Sequence, residues 1–283
     1  MRGEFIDIGG RSLRAVRAGP AEGQLVVCEH GAFGCAADWA VVQERLARHG
    51  LRSLAYDRAG MGLSDPGPGV RDGRAANSDL EAMLDAIGER EPFILVGHSM
   101  GGLSSRLFAL THPARVAGLV LVDAMTPDVL ELPGAPAALA AFGQLLRLAA
   151  SAARFGLMRP VALVSGNLIG LTGEPAPEKR RIHASATHAK WAAAEVLQWP
   201  VTSGLAGSGE LPEDLPVAVV TAGAAHTRKR LKAIQEAPAR RSRHGYVDHV
   251  AGCNHANLLG PRYADTIVRG VEHVRSASRA RTQ

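Results

Sequence analysis

Cysteine is scarce: Cys28, Cys35 and Cys253 are the only three in 283 residues. They cannot make a disulfide framework, and their spacing holds no metal-binding pattern. Cys28 lies inside an apolar run and reads as a small core residue. Aromatic residues are also few, at 4%. The net charge is +5, with basic residues gathered at Arg228-Lys229-Arg230, at Arg240-Arg241-Ser242-Arg243 and in the tail from Arg275 to Arg281. None of these clusters is interleaved with aromatics, which argues against nucleic acid and for solvated helix faces and a frayed terminus. No unbroken apolar stretch reaches the roughly 18 residues of a membrane-crossing helix, and the first residues carry no apolar secretion signal. The expectation is a soluble, cytoplasmic protein, monomer or homodimer, with a small-molecule substrate and with no nucleic-acid or membrane partner. Neither a dinucleotide fingerprint nor a metal-ligand cluster occurs, so no cofactor and no metal are expected.

What the chain does have is an ample apolar share, 46%, laid out in a regular order. Glu4 to Ile8 and Ser12 to Arg17 flank Gly9-Gly10, which suits a hairpin. Short apolar runs then alternate with segments of helical spacing. The runs are Gln24 to Glu29, Leu51 to Tyr56, Phe93 to Val96 and Val116 to Val122. The helical segments are Ala37 to Arg48, closed by His49-Gly50, then Asn77 to Ile87, then Leu103 to Leu110. Runs that are apolar throughout argue a mostly parallel sheet flanked by helices on both faces. The alternation stops after Ala124. Residues 128–212 are rich in Ala, Leu and Pro, with helical patterning at Leu139, Phe142, Leu145, Leu146 and Leu148. It resumes with Pro216 to Thr221, a helix from Thr227 to Ala237, a strand from Gly245 to Ala251 and a closing helix from Pro261 to Val274. The domain reading is an α/β core, 1–127 and 213–283, interrupted by a helical insertion, 128–212.

The most informative stretch is Gly97-His98-Ser99-Met100-Gly101, a G-x-S-x-G between a buried-type strand and a helix. A serine on such a sharp turn projects its hydroxyl from the sheet edge. Glycines two residues away avoid collision with neighbouring backbone. Serine is a weak nucleophile until a base takes its proton, and the base that suits neutral pH is histidine. Of eleven histidines, only His255 follows a strand near the end of the chain. His98 points the other way along the turn and reads as packing or hydrogen bonding. His30 reads as structural. The other eight, His188 among them, read as surface or insertion residues.

With these motifs the chain resembles the α/β-hydrolase superfamily, as a serine hydrolase with a helical cap. The likeness covers about residues 20–127 and 214–275. His30-Gly31-Ala32-Phe33-Gly34 resembles the family's HG oxyanion loop. Tyr56-Asp57-Arg58-Ala59-Gly60-Met61-Gly62-Leu63-Ser64-Asp65 resembles its D-x-x-G-x-G-x-S turn, with Asp57 bracing the turn beside Arg58. Gly252-Cys253-Asn254-His255-Ala256-Asn257 resembles its histidine loop. The resemblance implies oxyanion-hole amides from Met100 and from Ala32, with Phe33 as the alternative; Phe33 could instead line the acyl pocket. The commonest acid position, after Val217 to Thr221, holds Ala222-Gly223-Ala224-Ala225-His226 and no carboxylate. Some relatives carry the acid one strand earlier, where this chain has Asp123. Asp123 is therefore the expected acid; a structural aspartate, with no acid in the site, is the other reading. Asp248 and Asp214 are at the wrong places along their strands. Serine excludes the covalent aspartyl chemistry that dehalogenases and epoxide hydrolases perform on this fold. The implied activity is ester or lactone hydrolysis of an apolar small molecule through an acyl-enzyme, with Phe33, Trp191 and Trp199 against the substrate. The competing readings are cofactor-free C–C cleavage, a lyase or oxygenase reaction on the same fold, and a ligand receptor with vestigial turnover.

Overall fold

The computed structural model describes residues 2–282. The hairpin forms as its glycines demand. Strand β1 (Glu4–Asp7) and strand β2 (Ser12–Ala18) pair antiparallel, and Gly9 and Gly10 turn between them at φ 96° and 83°. Asp7 Oδ1 accepts both glycine amides at 2.9 Å. Then follow β3 (Leu25–Glu29), α1 (Ala40–Arg48), β4 (Arg52–Tyr56), α2 (Gly73–Ala86), β5 (Phe93–His98), α3 (Gly101–Thr111) and β6 (Val116–Val122). Five helices come next: α4 (Ala135–Arg154), α5 (Met158–Ser165), α6 (Pro175–His183), α7 (Ala186–Leu197) and α8 (Trp199–Ala206). The chain closes with β7 (Val217–Ala222), α9 (Lys229–Arg241), β8 (Gly245–Val250) and α10 (Ala264–Thr282).

The eight strands lie in the order β1-β2-β4-β3-β5-β6-β7-β8, antiparallel through β1, β2 and β4 and parallel from there on. Side chains alternate along each central strand, so both faces are buried. Ile94, Val96, Val120 and Val122 pack with Trp39 and Leu46 on one side and with Ile267 and Val271 of α10. Phe93, Leu95, Leu119 and Leu121 pack on the other, with Leu80 and Met83 of α2 and Phe108 of α3. Each such side chain contributes about 1.5–3 kcal/mol by leaving water, which is why these strands read as unbroken apolar runs.

Several helix boundaries differ from the sequence reading. Helix α2 begins at Gly73 rather than Asn77, because Asp72 caps it, accepting the Arg74 and Ala75 amides at 3.1 Å. Helix α9 runs through Pro238 to Arg241. Helix α10 continues to Thr282, so the basic tail is helical and not frayed. No glycine or proline follows Gly270 to stop it, and Arg275 pairs with Glu272 at 2.5 Å on the next turn.

The helical insertion is fixed to the core by buried charge. Arg58, on the loop after β4, pairs with Glu29 of β3 and with Glu195 of α7, the latter at 2.8 Å. Arg14 of β2 meets Glu178 of α6 at 2.6 Å, and Lys179 meets Asp38. All six of these Arg, Lys, Asp and Glu partners beyond Arg58 are buried as well. Buried pairs lose much of their attraction to desolvation, so their main effect is to specify one docking position. Helix α4 is different. It is long and apolar enough, by length and composition, to cross a membrane, with a mean hydropathy of 1.2 over its best window, although Arg147 interrupts the run.

Candidate active site

The parallel strands bring their C-terminal ends to one rim, and three loops there carry Ser99, Asp123 and His255. Ser99 joins β5 to α3 at φ 55°, a left-handed conformation for a residue with a side chain. Its neighbours make this turn possible. A Cβ on Gly97 would lie 2.6 Å from Ser105 Oγ, and one on Gly101 would lie 2.5 Å from the Glu29 carbonyl oxygen. Glycine is needed at both for close approach, as the motif implied. The turn is stapled to β6: Ser99 N–H donates to Val122 O at 3.1 Å, and Ser99 O accepts from Met125 N–H at 2.8 Å. Ser99 is 7% exposed.

His255 Nδ1 stands 2.6 Å from Asp123 Oδ2. Asp123 Oδ1 accepts from the Ala222 amide at 3.2 Å and from Gln235 Nε2 at 3.4 Å. Burial raises the Asp123 carboxyl, but the His255 hydrogen bond and charge and the Ala222 amide outweigh it and hold it below its usual range. Asp123 is thus ionised at neutral pH and fixes the His255 proton on Nδ1, leaving Nε2 as the basic nitrogen. Ala222, the last residue of β7, supplies its amide to the Asp123 carboxylate, while the turn that follows β7 has no carboxylate of its own. Ser99 Oγ makes no hydrogen bond among the described residues.

His98 is not a rival base. Its ring packs tilted against that of His255 with centroids 4.6 Å apart, and its Nε2 donates to His255 O at 3.0 Å. Burial first, and the charge of His255 second, lower it to about 3, so it stays neutral and supports the loop.

The oxyanion candidates lie opposite. The amides of Ala32, Phe33 and Met100 enter no hydrogen bond among the described residues. Met100 precedes the first turn of α3, where amides are free by geometry. Phe33 is held at φ 55°. Arg58 stabilises the loop from behind, donating to His30 O at 2.6 Å and to Gly31 O at 3.2 Å. His30 is structural, as expected: Nδ1 faces Gly31 O at 2.8 Å and Nε2 accepts the Arg58 amide at 3.3 Å. Asp57 braces its turn by accepting the Ala36 and Leu63 amides at 2.7 and 3.0 Å.

His188 and Arg58 are the residues whose roles the sequence did not reveal. His188 sits on α7, fully buried. Its Nδ1 accepts the Gly62 amide at 3.0 Å, so its proton is on Nε2 and is donated to Phe33 O at 3.3 Å. The Phe33 ring packs against both His183 and His188, 4.6 Å from each, and these two imidazoles stack on one another at 6.0 Å. Burial holds these imidazoles neutral, lowering His183 to about 2 and His188 to about 3. A signal existed: His188 and Glu195 lie two turns apart on one face of an Ala-rich helix.

Of the expected substrate residues, Phe33, Trp191 and Trp199 share one apolar cluster with Met100, Leu146 and Val196. Trp191 lies on Gly60, where a Cβ would meet the indole at 2.3 Å.

Comparisons with known proteins bear on the fold. A family model for the α/β hydrolase fold matches residues 24–156. Among curated proteins, RutD of Variovorax paradoxus, named provisionally as a carbamate hydrolase, is 41% identical over 110 residues, which is 38% of this chain and 40% of that protein. A non-heme chloroperoxidase of Streptomyces lividans is 37% identical over 110 residues, with the same 38% and 40% shares. The match therefore spans well under half the length of either relative. Among solved structures, a thermophilic esterase from Thermogutta terrifontis superposes with TM-score 0.67 at 21% identity, covering 97% of this chain and 99% of that one. That likeness shows the fold. The sheet order and the family match together show the α/β-hydrolase fold.

Proposed function

We propose that the chain is a serine hydrolase that cleaves a carboxylic ester or lactone of an apolar small molecule through an acyl-enzyme. The observation that carries this reading is the 2.6 Å contact of His255 Nδ1 with Asp123, on the rim where Ser99 turns. Ser99 Oγ attacks the substrate carbonyl carbon while His255 Nε2 takes its proton. The carbonyl oxygen becomes an oxyanion facing the free amides of Met100 and of Ala32 or Phe33. The bond to the leaving oxygen breaks, and His255 returns the proton to it. Water, deprotonated by His255, then attacks the acyl carbon, and Ser99 leaves with the proton. Asp123 orients the imidazole and balances its charge throughout. The 128–212 insertion acts as the cap, and its apolar cluster with Met100, Trp191 and Trp199 favours greasy acyl or alcohol groups.

A carbamate carbonyl offers the same electrophile, and the name of the Variovorax relative supports testing it. The experiment is a screen of p-nitrophenyl esters, lactones, amides and carbamates of graded size, run with wild type and Ser99→Ala. Burst kinetics, loss on the order of 10⁴-fold or more in kcat for Ser99→Ala, and fluorophosphonate labelling of Ser99 are expected. Labelling at another residue, or an active alanine variant, rejects the reading.

A further inference from the structure

The outer side of the insertion is apolar and uncovered. Leu145, Leu148 and Phe155 fall on one face of α4 and the turn that ends it. Leu157 just before α5, Val164 on it and Leu168 after it repeat the pattern. Leu148 is 58% exposed, Phe155 80% and Val164 84%. A patch of this kind on a soluble surface marks an interaction site.

Its charge says with what. From Leu132 to Gly173 the chain has no Asp or Glu, and its only charged side chains are Arg147, Arg154 and Arg159, all exposed. Arg147 and Arg154 share a groove between α4 and α7 with Lys190, another exposed cation. A second copy meeting this face across a two-fold axis would set these cations against one another, with no carboxylate on α4 or α5 to receive them. An anionic bilayer offers both apolar depth and negative headgroups. Helix α4 cannot span it. Gly143 and Leu146, on its opposite side, are buried; a Cβ on Gly143 would touch Val196 and Leu197 of α7 at 3.6 and 3.9 Å. The helix therefore lies flat.

We propose that the α4–α5 face docks on an anionic lipid bilayer. Leu148, Phe155 and Val164 enter the acyl boundary, and the arginines with Lys190 meet the headgroups. The inner side of the same helix, Leu139, Phe142 and Leu146, packs with Met100 beside Ser99. Docking thus sets the roof of the rim against the reservoir of apolar molecules. It does not depend on which reaction Ser99 performs.

The test is flotation with phosphatidylcholine vesicles, with and without phosphatidylglycerol, at low and high salt. Wild type is compared with Leu148→Gln/Phe155→Gln and with Arg147→Gln/Arg154→Gln/Arg159→Gln. These side chains are exposed, and circular dichroism and melting confirm that the variants fold. Wild type should float with the anionic vesicles, less so at high salt, and each variant should bind roughly tenfold or more weakly. Absence of wild-type flotation overturns the proposal, as does flotation that neither variant changes. A concentration-dependent dimer that Leu148→Gln/Phe155→Gln abolishes, without flotation, assigns the face to a second copy and also overturns it.

Discussion

Asp123 leaves the end of β6 at φ 39°, and its two carboxylate oxygens are divided between His255 Nδ1 and the Ala222 amide. One oxygen faces the imidazole; the other is tied to the turn where most superfamily members would place the acid. The carboxylate thus bridges β6, β7 and the loop after β8.

The first prediction follows from that bridge. Asp123→Asn should remain folded, because asparagine can still accept the Ala222 amide. Its side chain would favour the wrong imidazole tautomer, lowering kcat by up to roughly 10⁴-fold. Steady-state kinetics and a melting curve check both halves. Retention of most activity would make Asp123 a brace only.

Gly101 gives a second prediction. Its missing Cβ makes room for the Glu29 and His30 carbonyl oxygens, 2.5 and 2.6 Å from where that atom would be. Both neighbours are backbone at the root of the oxyanion loop and cannot rotate aside. Gly101→Ala should destabilise by about 1–3 kcal/mol and reduce kcat more than it raises KM. Chemical denaturation and kinetics read the two effects.

Arg58 is the third. It stands between two buried carboxylates and also holds the His30 and Gly31 carbonyls. Arg58→Ala leaves both carboxylates uncompensated and should cost about 3–5 kcal/mol. Arg58→Lys keeps the charge but not the fork, so it should fall between wild type and alanine. Urea unfolding of the three proteins gives the order, and an alanine variant as stable as wild type would contradict it.

His188 supplies a pH prediction. In the unfolded chain an imidazole takes its proton near 6.5, whereas folded His188 takes one only near about 3. Between those values the unfolded chain binds more protons, so stability is full above 6.5 and is lost as pH falls toward 3. His98 and His183 add to the same loss. The fall in Tm from about pH 7 to pH 4 should be shallower in His188→Gln. Glutamine can accept from Gly62 and donate to Phe33 O, so it should keep more activity than His188→Leu, which can do neither. Equal activity of the two variants would remove His188 from any role in placing the loop.

The strands, the elbow and His255 were legible because each follows a local rule. Apolar runs mark Phe93–His98 and Val116–Val122, and G-x-S-x-G can be read without knowing what surrounds it. Asp123 was indicated only through the family resemblance, because some relatives carry the acid at its place and this chain has alanines and glycine at the commoner one. Arg58 and His188 were not, because their partners lie 137 and 126 residues away, at Glu195 and Gly62. Such contacts belong to the docking of the insertion, which no local period reports. The full length of α10 was missed for a milder reason: helix propensity without a stop signal carried it past the last apolar residue.

Four non-glycine residues among those described have a positive φ, and three of them are Phe33, Ser99 and Asp123. Each left-handed side chain costs roughly 1–2 kcal/mol, so the rim holds on the order of 3–6 kcal/mol, a large part of the roughly 5–15 kcal/mol by which a domain stays folded. Selection for thermal resistance alone would favour glycine at these three positions and would remove the hydroxyl and the carboxylate that the proposed chemistry uses. Directed evolution of a hardier variant therefore has to look elsewhere, in the loops and helix ends, where ordinary substitutions can raise the melting point without touching the chemistry.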